Sequence, residues 1–272
     1  MLDEQTSCSV TLGHESDHRP GSAGERLLQC AYDTEDRANR FYAEQLRNRL
    51  MPAMIEFIGR MEMAFVASAD GDGECDASLR AGPPGFIQVL DDRHVAYPEY
   101  RGNGVHASLG NILENPHVGL LMVDFERDLI GLHVNGSARI VEDATLREEH
   151  PSLPVDEARG RRARRWVVVE VAEAYIHCRK HIPRMARVPA QRDWGTDDPA
   201  RKGGDYFGAK RQRTAERAAA AAAEQAPDRA EPDWVLPSLP PVPAQQQSTA
   251  ASVARALRDA PRDWLARRRA PR

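Results

Sequence analysis

Apolar residues Ala38, Phe41, Tyr42, Leu46 and Leu50 recur at helical spacing, and Met54, Phe57 and Ile58 carry the same stripe beyond Pro52. With Asp33 placed as N-cap, the spacing predicts a helix that is interrupted or restarted near Pro52, because proline cannot donate to the helical ladder. Its stripe is expected to pack on the chain's own core. From residue 63 the period changes. Residues 63–69 are compact and apolar, Asp70-Gly71-Asp72-Gly73 reads as a hairpin turn, and 74–80 returns as the second strand. Gly82-Pro83-Pro84-Gly85 punctuates before strands at 86–90 and 93–97, separated by the Asp91-Asp92 turn. A helix over 105–114 is expected to stop at Asn115-Pro116 and to lead into strands at 117–125 and 129–142. In the last strand, 166–178, consecutive Trp166, Val167, Val168 and Val169 imply burial on both faces. Six or more antiparallel strands with flanking helices fit a small, mainly β barrel.

Outside this stretch the pattern fades. Residues 1–21 hold few large apolar side chains and are expected to form a disordered leader. Residues 22–62 form a helical segment on the barrel, 63–190 the barrel domain, and 191–272 a low-complexity tail rich in Ala, Pro and Arg. Within the tail, Ala218 to Ala223 is helix-prone, 227–243 is proline-rich, and 252–269 is a weakly amphipathic basic segment carrying Leu257, Trp264 and Leu265. That segment is a candidate site for a protein partner, with a floppy extension as the simpler reading. A chain of 272 residues accommodates one core of about 150 residues with length to spare for such tails.

Charge narrows the function classes. The 37 basic and 41 acidic residues give a net charge of −4, which favours neither nucleic acid nor a membrane surface. The arginines at 159, 161, 162, 164 and 165 offer charge for an anionic ligand tail or nucleic acid, but they lack interleaved aromatics and a solvated loop is the stronger reading. No apolar run approaches the roughly 20 residues that span a bilayer, and Met1-Leu2-Asp3-Glu4-Gln5 lacks the order of a signal peptide, so a cytoplasmic location is expected. Cys8, Cys30, Cys75 and Cys178 form no CxxC pair, which argues for reduced thiols and against a zinc site. His177, Cys178 and His181 cannot all converge from one strand, so no metal is assigned there. His14 and His18 fall in the polar leader.

The candidate chemistry lies in residues 76–125. Tyr100-Arg101-Gly102-Asn103-Gly104 leads towards a helix start and offers free backbone donors, a guanidinium and the helix dipole, a combination suited to a phosphate. An ordinary turn is the plainer reading of those residues.

Ser78-Leu79-Arg80, Gly85-Phe86, Ala96-Tyr97-Pro98 and Leu109-Gly110-Asn111-Ile112-Leu113-Glu114-Asn115-Pro116-His117 occur in an order that resembles the pyridoxamine 5'-phosphate oxidase-like flavoproteins. Residues 131–139 and Ile176-His177-Cys178-Arg179-Lys180 extend the resemblance, which covers about 34–185. It implies an FMN-binding split β-barrel, a homodimer with FMN in the cleft between protomers, and cofactor contacts from Ser78, Arg80, Tyr97, Ser108, His177 and Lys180, to which the phosphate-suited loop adds Tyr100, Arg101 and Asn103. The chain departs from the family where a Ser-Arg-Lys triplet would grip the phosphate, since it carries His106-Ala107-Ser108 there. The resemblance therefore favours flavin binding over vitamin B6 oxidation.

Arg80, Arg101 and Ser108 are expected to converge on one phosphate dianion. The competing arrangement pairs Arg80 with a carboxylate such as Asp76 and leaves Arg101 solvated. The sequence shows no triad, carboxylate pair or P-loop, and a flavin needs no protein nucleophile, so no catalytic residue is assigned. The leading expectation is an FMN-dependent oxidoreductase acting on an unidentified small molecule. A non-catalytic module binding flavin, haem or deazaflavin is the alternative, and a partner-binding scaffold a third.

Overall fold

The computed structural model describes residues 20–158, 160–188 and 193–224. These fall into two units divided between Tyr206 and Phe207. The first contains α1 (Ala23–Ala31), α2 (Glu35–Glu44), α3 (Pro52–Gly59), β1 (Met63–Ala69), β2 (Cys75–Ala81), β3 (Gln88–Val89), β4 (His94–Glu99), α4 (Ala107–Glu114), β5 (His117–Val123), β6 (Gly131–Glu142), α5 (Asp143–Glu149) and β7 (Arg165–His177). In the second, α6 (Ala209–Glu224) contains the helix-prone alanine run. Expectations for the leader up to residue 19 and for the segments 227–243 and 252–269 lie outside the described residues.

Seven strands form one antiparallel sheet in the order β2-β1-β5-β6-β7-β4-β3. β2 opens that order and β4 is sixth in it, yet Arg80 on β2 donates to Glu99 on β4 over 2.9 Å. The sheet must curl until its margins meet, and the fold is mainly β, a split barrel. Alternation turns Ala64 and Val66 of β1, Val118, Leu120 and Met122 of β5, Leu132 and Val134 of β6, and Val95 and Tyr97 of β4 into one apolar cluster. Phe57 and Ile58 from α3 and Leu109 and Ile112 from α4 close it. Each fully buried aliphatic side chain contributes about 1.5–3 kcal/mol, which explains why this pattern governs the register. The outer face of β4, β6 and β7 has its own small cluster under α5, built on Leu146, Leu153, Trp166 and Val168.

Pro52 is the first residue of α3, so the predicted helix restarts there. Three local expectations are corrected. Asp33 is not an N-cap: its φ of 55° places it in the left-handed region, and Thr34 takes the cap position of α2. The strand expected at 86–90 shortens to two residues, since Phe86 and Ile87 turn into the core before pairing begins at Gln88. Cys30 is disulfide-bonded, against the expectation of reduced thiols, while Cys75 and Cys178 are free and exposed. Helix α5 was not foreseen. It is a seven-residue helix with a single buried apolar residue, Leu146, anchored by Asp143, which accepts from Trp166 Nε1 at 2.7 Å and Arg147 Nε at 2.8 Å. Among the described residues no helix is long and apolar enough to cross a membrane.

Candidate functional site

Where β2 meets β4, the even-numbered residues of β2 turn inward. Asp76, Ser78 and Arg80 are half-buried while Cys75, Ala77 and Leu79 are exposed. Helix α4 brings Ser108, buried in its first turn, against them. Arg80 Nη2 donates to Ser108 Oγ at 2.9 Å, the two serine oxygens are 3.0 Å apart, and Ser78 Oγ donates to Asp76 Oδ2 at 2.7 Å. The single hydroxyl proton of Ser78 is committed to Asp76, so Ser108 must donate to Ser78. A directional chain thus runs from Arg80 through Ser108 and Ser78 to Asp76. Arg80 Nε meanwhile donates to Glu99 Oε1, and both side chains are largely buried, at 20% and 16% exposure.

Burial pushes the Glu99 carboxyl above its ordinary range, and Arg80 opposes that only in part. Tyr97 lies beneath, its ring 5.8 Å from the guanidinium carbon of Arg80. Burial drives its phenol upward too, and its hydroxyl has no hydrogen-bond partner among the described residues. His106, immediately before α4, adopts the left-handed region at φ 57°, a strained conformation for a residue with a Cβ.

The structure brings together four of the expected cofactor residues, Ser78, Arg80, Tyr97 and Ser108. It pairs Arg80 with Glu99 rather than Asp76, and it does not bring Arg101 to them. Arg101 instead pairs with Asp197 at 2.8 Å, with both side chains more than half exposed. Its loop is drawn aside because Tyr100 packs edge-on against Trp194, at 5.9 Å, and Asn103 Oδ1 accepts from the Val105 amide. Residues 193–201, placed in the tail by composition, hold this loop and the neighbouring Arg161, whose guanidinium lies 5.9 Å from the Trp194 ring. His177 and Lys180 lie at the end of β7 and just beyond it. His177 Nδ1 is 3.0 Å from His133 Nε2, His133 stacks on Tyr175, and Lys180 is exposed. Burial and the neighbouring His177 both lower the His133 pKa. Glu99 carries no local sequence signal, because it lies 19 residues from Arg80 and is joined to it only when the sheet curls.

Residues 50–178 match the pyridoxamine 5'-phosphate oxidase family. That stretch, just under half of the chain, contains all seven strands of the barrel. Similar solved structures include HupZ from Group A Streptococcus, 20% identical over 46% of this chain and 91% of that one, with a TM-score of 0.34. An F420 reductase is 16% identical over 46% of this chain and 98% of that one, with a TM-score of 0.32. General Stress Protein 26 from Bacillus anthracis is 18% identical over 45% and 90%, with a TM-score of 0.30. At such TM-scores these likenesses bear on neither fold nor function here. A comparison with curated proteins finds no match.

Proposed function

We propose that the protein is an FMN-dependent oxidoreductase acting on a small molecule, and that Arg80, Ser78 and Ser108 hold the FMN phosphate. The observation that carries this reading is the convergence of a largely buried guanidinium and two hydroxyls at the first turn of α4. This set fits a phosphate once the hydroxyls turn from their present acceptors: the arginine fork supplies charge-assisted donors, Ser108 and Ser78 supply neutral ones on leaving Ser78 and Asp76, and the helix start adds amides and a favourable dipole. The flavin would supply the redox chemistry. The chain's own residues bind its phosphate and keep water from the Arg80 side chain, while Tyr97 supports the guanidinium from below.

A second copy of the chain completes the reading. Met63, Phe65 and Leu79 on the outer face of the β1–β2 hairpin are 37%, 42% and 57% exposed, and cross-strand pairing aligns Leu79, Phe65, Leu121, His133 and Tyr175 in one row. The apolar end of that row, Leu79, Phe65 and Leu121, is suited to burial against its own symmetry mate.

The absorption spectrum of purified protein, followed by FMN titration, tests the cofactor. A flavin spectrum near equal stoichiometry and tighter binding of FMN than of riboflavin are expected. A Soret band would redirect the reading to haem, a deazaflavin spectrum to that cofactor, and a colourless protein indifferent to FMN would overturn it. Screening of electron donors with the loaded protein then separates an enzyme from a cofactor-binding module without catalysis.

A further inference from the structure

The anion site has an unusual charge count. One guanidinium, Arg80, is engaged with Glu99 directly and with Asp76 through two serines, so two carboxylates already share one cation. Adding a phosphate dianion to that arrangement would crowd three anionic groups around a single positive charge in a largely buried place, where like charges are least tolerated.

Resting on the flavin reading above, we propose that Glu99 is the resident counter-anion of Arg80, which an incoming phosphate displaces, and that phosphate binding is accompanied by protonation of Glu99. Glu99 is then a specificity-determining residue: it sets how much a phosphorylated flavin is preferred over its dephosphorylated form, and at which pH.

The surroundings of Glu99 support this. On β2 it faces Arg80, with Asp76 beyond the serines. On β7 its register partner is Arg165, whose Nε is bound to Glu142 at 2.8 Å. His106, before α4, and Arg165 act on it only as weaker favourable charges, and Tyr97 on its own strand has an unpartnered hydroxyl. No second cation is therefore bonded to Glu99 among the described residues. Burial already favours the neutral acid, and a phosphate seated on Arg80 would take its hydrogen-bonded partner and set a negative charge beside it, raising its proton affinity further. Between the carboxyl's pKa in the free protein and its pKa beneath the phosphate, binding takes up one proton. FMN affinity then falls as pH rises, by up to about tenfold per unit.

FMN and riboflavin titrations at pH 6.5, 7.5 and 8.5 on the full chain and on Glu99→Gln test this. Above about pH 6 the FMN phosphate is mostly dianionic, and its residual ionisation is common to both proteins, so the difference in slope isolates Glu99. Expected are falling FMN affinity with pH in the parent, a flattened profile in Glu99→Gln with about tenfold tighter FMN binding at pH 8.5, and riboflavin affinity independent of both. Calorimetry of the parent in two buffers of different ionisation enthalpy reads proton uptake directly, without relying on the variant. Net uptake approaching one proton with FMN and none with riboflavin supports the proposal. FMN binding with equal slopes in the two proteins and no proton uptake would overturn it while leaving the flavin reading intact. Failure of both proteins to bind FMN at every pH would overturn both.

Discussion

At the residue scale the site turns on whether a side chain is held by its neighbours or by solvent. Arg80 is buried among partners, whereas Arg101 makes an exposed ion pair of the kind that contributes little. Charge-assisted hydrogen bonds to phosphate contribute about 1.5–3 kcal/mol each, so Arg80→Ala is expected to weaken FMN binding by roughly tenfold to a hundredfold. Arg101→Ala is expected to change it by less than about threefold, the range of an exposed pair. Riboflavin titrations of the same variants should show almost no difference from the parent. If Arg101→Ala proves the more damaging, the phosphate lies in the loop rather than under Arg80. If neither matters, His177 and Lys180 become the next residues to test. Ser78 and Arg80 were legible because strand alternation puts them on one face, and Ser108 because it opens a helix. Their partner Glu99 was not, since nothing local ties one sheet margin to the other.

At the scale of elements, the strands and α4 were readable from period and punctuation, whereas α5 and the brevity of β3 were not. A single buried leucine leaves no period to detect, and Phe86 and Ile87 read as strand until the core claims them. The longest pairing, β6 with β7, contains a register shift between Asn135 and Gly136. There the backbone passes so close to Glu170 that a Cβ on Gly136 would press into the Glu170 carbonyl. Gly136→Ala is therefore expected to destabilise the fold by about 1–3 kcal/mol through overpacking against rigid backbone. Denaturant unfolding measures this, and a midpoint equal to the parent's would show that β7 yields freely at the bulge.

For the whole molecule, the exposed row on β1 and β2 leads to an expected homodimer. Light scattering at micromolar concentration should show a dimer, with Phe65→Asp shifting it to monomer. A parent that is monomeric with flavin still bound would remove the second copy from the site. Deleting residues 210–272 is expected to leave folding and FMN affinity unchanged, because the Ala/Pro/Arg-rich segment offers few large apolar side chains to bury. An insoluble or cofactor-free product would make that segment integral. The strand count, the hairpin at 70–73, the stop at Asn115-Pro116 and the restart at Pro52 were set by the sequence alone, because each follows from side-chain period or from the backbone limits of proline and glycine. The meeting of Arg80 with Glu99, the diversion of Arg101 to Asp197 and the seating of Ser108 against Ser78 were decided only by the curl of the sheet. Curvature sums twist over seven strands and the packing of α3 and α4 on one core, and no short window of sequence contains that sum.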